Sequence, residues 1–102
     1  MSPVDRMRLA EIFTDPEELE DVISEGIEDI CARLHDIHGA VTAGDGASVG
    51  EYAHRIRGVA ANLGAERIAA AAEAVEMAAR SGNVDQPLVS ALEDAVDRLC
   101  DD

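Results

Sequence analysis

From Leu19 onward, apolar side chains recur every three or four positions: Ile23, Ile27, Ile30, Leu34, Ile37 and Val41. Such spacing puts one apolar stripe on a long helix. Asp15-Pro16-Glu17-Glu18 stands just before it as a start signal: a capping residue, a proline suited to the first turn, then acids at the positive helix end. Gly26 and Gly39 weaken the pattern and allow a bend, and Gly44-Asp45-Gly46-Ala47 ends it. Ser48-Val49-Gly50-Glu51 has capping-box spacing and opens a helix running to Leu63, with Gly64 as its stop. A third stripe, Ile68, Ala72, Val75 and Ala79, predicts a helix from about Ala65 to Ser81, closed by Gly82-Asn83. Asp85-Gln86-Pro87 starts a last one, carried by Leu88, Leu92, Val96 and Leu99. Ahead of all these, Ser2-Pro3 caps a short helix ending near Phe13. Short connections make sequential helices antiparallel. The expected architecture is all-α: a single domain over residues 1–102, an up-down-up-down antiparallel four-helix bundle with a short extra N-terminal helix. No internal repeat, low-complexity tail or second domain interrupts it.

Composition narrows the core. With one Phe, one Tyr and no Trp in 102 residues, the interior must come from Leu, Ile, Val and many Ala. That mix suits closely packed helices and not a sheet. Charge narrows the partners. Twenty-two acidic residues stand against eight basic ones, all Arg, for a net charge of −14. A chain this acidic repels phosphate backbones and anionic lipid, so neither nucleic acid nor a membrane surface is expected as partner. Another protein is. Cys31 and Cys100 make no disulfide framework and read as two thiols of a cytosolic protein. Met1 to Arg6 holds no apolar core of signal-peptide length, and no apolar run approaches membrane-spanning length. A cytoplasmic monomer is expected, since four helices can enclose the core without a partner. The Ala/Arg/Asp/Glu bias without Lys suggests a GC-rich bacterial genome.

The segment from Ala53 to Ala65 carries the candidate chemistry. With Tyr52 at zero and about 100° per residue, Ile56, Val59 and Leu63 fall within about 40° of it as an inward stripe. His54 falls near about 200°, almost opposite, beside Ala61, Gly58 and Arg57. Glycine inside a helix costs about 1 kcal/mol relative to alanine. At Gly58 that cost brings no packing on the inner face, but it would let another molecule approach the imidazole closely. Arg57 could then hold a phosphoryl oxygen or an acidic partner group. Imidazole, with a reference pKa near about 6.5, is largely neutral at neutral pH and can act as a nucleophile. An exposed histidine is more often plain surface, so geometry alone leaves both readings open.

His54, Ile56, Arg57, Gly58, Ala60-Ala61-Asn62 and Leu63-Gly64-Ala65 resemble the signature of histidine phosphotransfer (HPt) domains. There a phosphorylated His is followed by a hydrophobic residue, Lys, Gly, small residues and Leu-Gly. Arg57 stands where Lys is commoner, which keeps the charge but replaces a compact ammonium with a planar fork. The next helix, with Glu76 and Ala79-Arg80-Ser81-Gly82, is similar to the family's too, and the resemblance spans residues 10 to 100. It implies that His54 accepts a phosphoryl group from the phospho-aspartate of a receiver domain and passes it to another receiver's aspartate. Attack would come from Nε2. Mg²⁺ would be supplied by the partner, with no intrinsic cofactor. Partners would be receiver domains of response regulators or of a hybrid sensor kinase. The chain has no glycine-rich phosphate loop, so a carrier and not a kinase is implied. Its length and initiating Met favour a free-standing protein over a piece of a hybrid kinase.

Arg55, Arg57 and Arg67 form a local positive spot suited to an acidic receiver pocket, or pair with Glu51 and Glu66. Ala61 and Ala65 are the candidates for an apolar docking patch around His54. Cys31, His35 and His38 share one side of the long helix, and with Glu28 or Cys100 could ligate zinc. No second ligand pair follows at loop spacing, and no metal site is expected. The acid-rich stretch from Asp15 to Asp29 reads as a solvated face. Glu73 and Glu76 do not read as a catalytic pair. The rival functional class is a helical interaction module that binds a receiver or another protein without phosphotransfer.

Overall fold

The computed structural model describes residues 4–100, the side chain of Cys100 excepted. Five helices and no strand are found among them: α1 (Arg6–Ile12), α2 (Pro16–Ala43), α3 (Gly46–Asn62), α4 (Glu66–Arg80) and α5 (Gln86–Cys100). α2 packs on α3, α3 on α4, α4 on α5, and α5 returns to α2, while α1 leans on α2. The 28 residues of α2 rise about 42 Å at 1.5 Å each. That matches the 43 Å long axis of the molecule.

Aspartates start four of the five helices. The carboxylate of Asp5 accepts from the Arg8 N–H, Asp15 from Glu17, Asp45 from Ser48 and Asp85 from Leu88. Each satisfies one of the donors that a helix start leaves unpaired. Two expected starts move accordingly. The first helix begins at Arg6, capped by Asp5; Ser2-Pro3 lies outside the described residues. The third begins at Gly46 and not after Ser48, because Asp45 takes both the backbone N–H and the hydroxyl of Ser48. Those same bonds hold the Asp45 carboxyl below the usual aspartate range.

The apolar stripes meet as the spacing implied. Ile23, Ile30, Leu34 and Ile37 of α2 are buried with Ile56, Ile68, Val75, Leu92 and Val96. α2 runs as one helix through both of its glycines. At Gly26 a Cβ would come within 2.7 Å of Leu63 Cδ1, so the missing side chain is the space that Leu63 fills. The turn after α3 fixes the chain's beginning. Gly64 has φ +70°, and a Cβ there would lie 2.5 Å from the Cβ of Asp5. The Asp5 N–H donates to Leu63 O (3.0 Å) and Arg8 Nη2 donates to Ala61 O (2.9 Å), tying α1 across the end of α3. No described helix is long and apolar enough to cross a membrane.

Candidate functional site

Small residues bring α3 and α4 together. Ala53, Ala60, Ala72 and Ala79 are buried, and a Cβ on Gly50 would rest 3.5 Å from the Cβ of Ala79, in ordinary contact. The buried line on α3 is Val49, Gly50, Ala53, Ile56 and Ala60, continued by its C-cap Leu63, whereas Tyr52 and Val59 are only half-buried. The inward direction is therefore turned about 40° from the expected stripe, toward α4. His54 consequently sits on the flank of α3 beside α4 and not opposite the core.

That rotation gives His54 a partner. Its Nδ1 lies 2.9 Å from Oε2 of Glu76, across the α3–α4 seam. The imidazole is 55% exposed, while the Glu76 side chain is 4% exposed. Glu76 is the one charged residue among the described residues that is buried. Burial pushes its carboxyl pKa up, but the Arg80 hydrogen bond and the charges of Arg57, His54 and Arg80 outweigh this and hold it below the usual range. Arg80 Nη2 meets Oε2 at 2.6 Å and Arg57 Nε stands 3.5 Å from Oε1. Oε1, buried, makes no hydrogen bond among the described residues.

An ionised carboxylate can only accept. Nδ1 of His54 must then carry the proton and donate it to Glu76, which leaves the lone pair of the neutral ring on Nε2. Arg57 Nη2 also comes within 3.1 Å of Nδ1. Two donors cannot share that nitrogen as a hydrogen bond. The shorter contact to an anion decides the tautomer, and the guanidinium is a positive charge beside the ring. Glu76, Arg57 and Arg80 together leave one net positive charge around a half-exposed imidazole whose Nε2 keeps its lone pair.

The surroundings of His54 are open. A Cβ on Gly58, one turn along α3, would meet nothing within 4 Å. The glycine therefore meets no packing need among the described residues. Gly58, Arg57 and Ala61 line a shallow groove of about 510 Å³ with Arg8, Gly64, Glu66, Ala69, Ala70 and Glu73.

The other expected site residues distribute differently. Ala61 is exposed at the groove, but Ala65 is buried as the N-cap of α4 and cannot join a docking surface. The turn at Gly64 points it inward. Arg55 pairs at 3.2 Å with Asp29 of α2, not with Glu51. Arg67 is exposed and does not line the groove. No group of three or more metal-ligating side chains gathers among the described residues. His38 instead faces Glu93 of α5 at 3.2 Å. Sequence reading missed Glu76 as the histidine's partner, and Arg80 and Arg8 as components of the face. One signal was present: Glu76 is four residues from Ala72 and three from Ala79, so it sits on the apolar stripe of α4. A carboxylate in such a place needs a reason.

The helical fold thus presents an exposed histidine held by a buried acid and flanked by arginines and a glycine. The comparisons place it further. The sequence profile of the Hpt domain matches residues 17–102, and the chain belongs to the histidine phosphotransfer (Hpt) domain family of two-component signalling. The crystal structure of histidine-containing phosphotransfer protein B (HptB) from Pseudomonas aeruginosa PAO1 superimposes with a TM-score of 0.84 at 25% identity, covering 94% of this chain and 86% of that one. No curated protein sequence matches it.

Proposed function

We propose that this protein is a phosphocarrier that relays a phosphoryl group between receiver-domain aspartates through phospho-His54. The observation that carries the reading is the contact of Nδ1 with Glu76 at 2.9 Å beneath an exposed ring. Nε2 attacks the phosphorus of an acyl phosphate. The N–P bond forms as the P–O bond breaks, and the aspartate leaves with the electron pair. The ring becomes cationic with its proton still on Nδ1, and Glu76 stabilises that charge as it develops. Transfer onward reverses each step. Mg²⁺ would be held by the receiver and would supply charge neutralisation there; no residue of this chain is assigned to it. Arg57 sits close enough to the ring to take a phosphoryl oxygen, and Gly58 lets the partner approach.

The partners in this reading are receiver domains of response regulators or of a hybrid sensor kinase, in a bacterial cytoplasm, with the chain acting as a single monomeric domain. The short connections and the ring of contacts among α2 to α5 support an up-down-up-down order of these helices.

The test is label transfer from a phosphorylated receiver domain. Acid-labile, alkali-stable label on the wild type, absent from His54→Gln, is the expected result. A receiver that binds without passing label would make the chain an interaction module instead.

A further inference from the structure

Glu76 Oε2 takes two donors at once: the ring N–H of His54 at 2.9 Å and the Arg80 guanidinium at 2.6 Å. Both come to the same oxygen, while Oε1 makes no hydrogen bond among the described residues. Arg80 lies one helical turn beyond Glu76 on α4 and is 67% exposed, so neither packing nor burial requires an arginine there. The titratable groups in contact with Glu76 among the described residues are His54 and Arg57 from α3 and Arg80 from α4. Glu73, one turn before it, faces the groove.

We propose that Arg80 is a positioning residue that sets the lifetime of the phosphoryl group on His54 by competing with the imidazole for Glu76. This inference rests on the phosphocarrier reading. Phospho-His54 exists in two forms, with and without the proton on Nδ1. When the proton is present, cleavage of the N–P bond returns its electron pair to Nε2 and expels a neutral imidazole, a good leaving group. When it is absent, the leaving group is an imidazolate anion, and the bond persists. A carboxylate beside Nδ1 favours the protonated, reactive form. Arg80 draws on the same oxygen with a full positive charge, so it weakens that pull and enlarges the long-lived fraction. It acts through Glu76, and not on the reacting atoms.

The test loads the protein with phosphoramidate, which needs no docking partner, and follows loss of label across pH 5–9. Hydrolysis transfers the phosphoryl group to water: the N–P bond breaks, a P–O bond forms, and the water proton goes to the phosphate. For Arg80→Met the midpoint of the pH–rate profile is expected to move up by about half a unit, which makes loss about threefold faster on the alkaline side. Arg80→Lys restores the charge and should return the profile to that of the wild type. In a Glu76→Gln background the further change Arg80→Met should do nothing, because the shared carboxylate is gone. An unmoved or lowered profile in Arg80→Met overturns the proposal. So does an undiminished Arg80 effect in the Glu76→Gln background, which would mean that the arginine touches the phosphoryl group itself. Wild type that takes no label at His54 removes the phosphocarrier reading and this inference together; label that is taken but is indifferent to Arg80 removes the inference alone.

Discussion

His54 and Glu76 stand 2.9 Å apart, one exposed and the other buried, on two helices whose small residues let them close on each other. The acid fixes the tautomer and orients the ring, and in the proposed relay it would face the charge that the ring gains on phosphorylation. Glu76→Gln keeps the shape and an accepting oxygen but removes the charge. A charge-assisted hydrogen bond is worth about 1.5 kcal/mol more than a neutral one. Phosphoryl transfer from a receiver should therefore slow about tenfold, with the rate constant falling more than the affinity, as measured by rapid-quench transfer at varied receiver concentration.

Glu76 also ties stability to pH. Its folded pKa is depressed, while an unfolded glutamate titrates near about 4.3. Above the unfolded value the carboxylate is charged in both states, and its ion pairs contribute fully. As pH falls below that value the unfolded chain takes up the proton first, and the contribution is lost as pH passes through the lower folded value. Urea midpoints measured from pH 6 down to pH 3 should decline through this window. The decline should be shallower in Glu76→Gln than in the wild type.

In the proposed relay, Gly58 would matter for docking and not for folding. Its missing Cβ would meet open space, so Gly58→Leu should leave the fold intact and raise stability by about 0.5–1 kcal/mol through helix propensity. Transfer from a receiver should nevertheless drop sharply, while loading by phosphoramidate stays close to wild type. Equal transfer from the receiver in both proteins would remove the close-approach role of this glycine.

Gly64 is the opposite case. It holds φ +70°, and Asp5 occupies the place of its side chain. Gly64→Ala should cost about 1–2 kcal/mol from the left-handed backbone alone, with the clash added to it. Thermal unfolding should report the loss. Hydrogen exchange should show the Asp5 amide, normally bonded to Leu63 O, exchanging faster.

Most of the fold was legible along the chain. The α2 stripe, the stops at Gly44, Gly64 and Gly82, and the starts at Asp15 and Asp85 all follow from local chemistry, which acts within a few residues. The starts of α1 and α3 were misplaced because several polar residues compete for a cap there. At Asp45 the carboxylate outbids Ser48 by taking both of its donors. His54, Arg57, Gly58 and Ala61 share one side of α3 by helical phase, and the structure places His54 against Glu76 at the seam and the other three along the groove. Ala65 was misjudged because the turn at Gly64 reverses the direction in which the next residue points.

By itself the sequence determined which residues could stand on the face of α3 with His54, since about 100° per residue is a property of the backbone. It did not determine where that face would look. The tertiary structure decided that, when Gly50, Ala53, Ala60, Ala72 and Ala79 allowed α3 to roll toward α4. A contact between residues 54 and 76 depends on how two helices pack, and no local rule carries that information. The same packing buried Glu76, gave it Arg57 and Arg80 as counter-charges, and left the His54 ring more than half exposed with Nδ1 on the carboxylate.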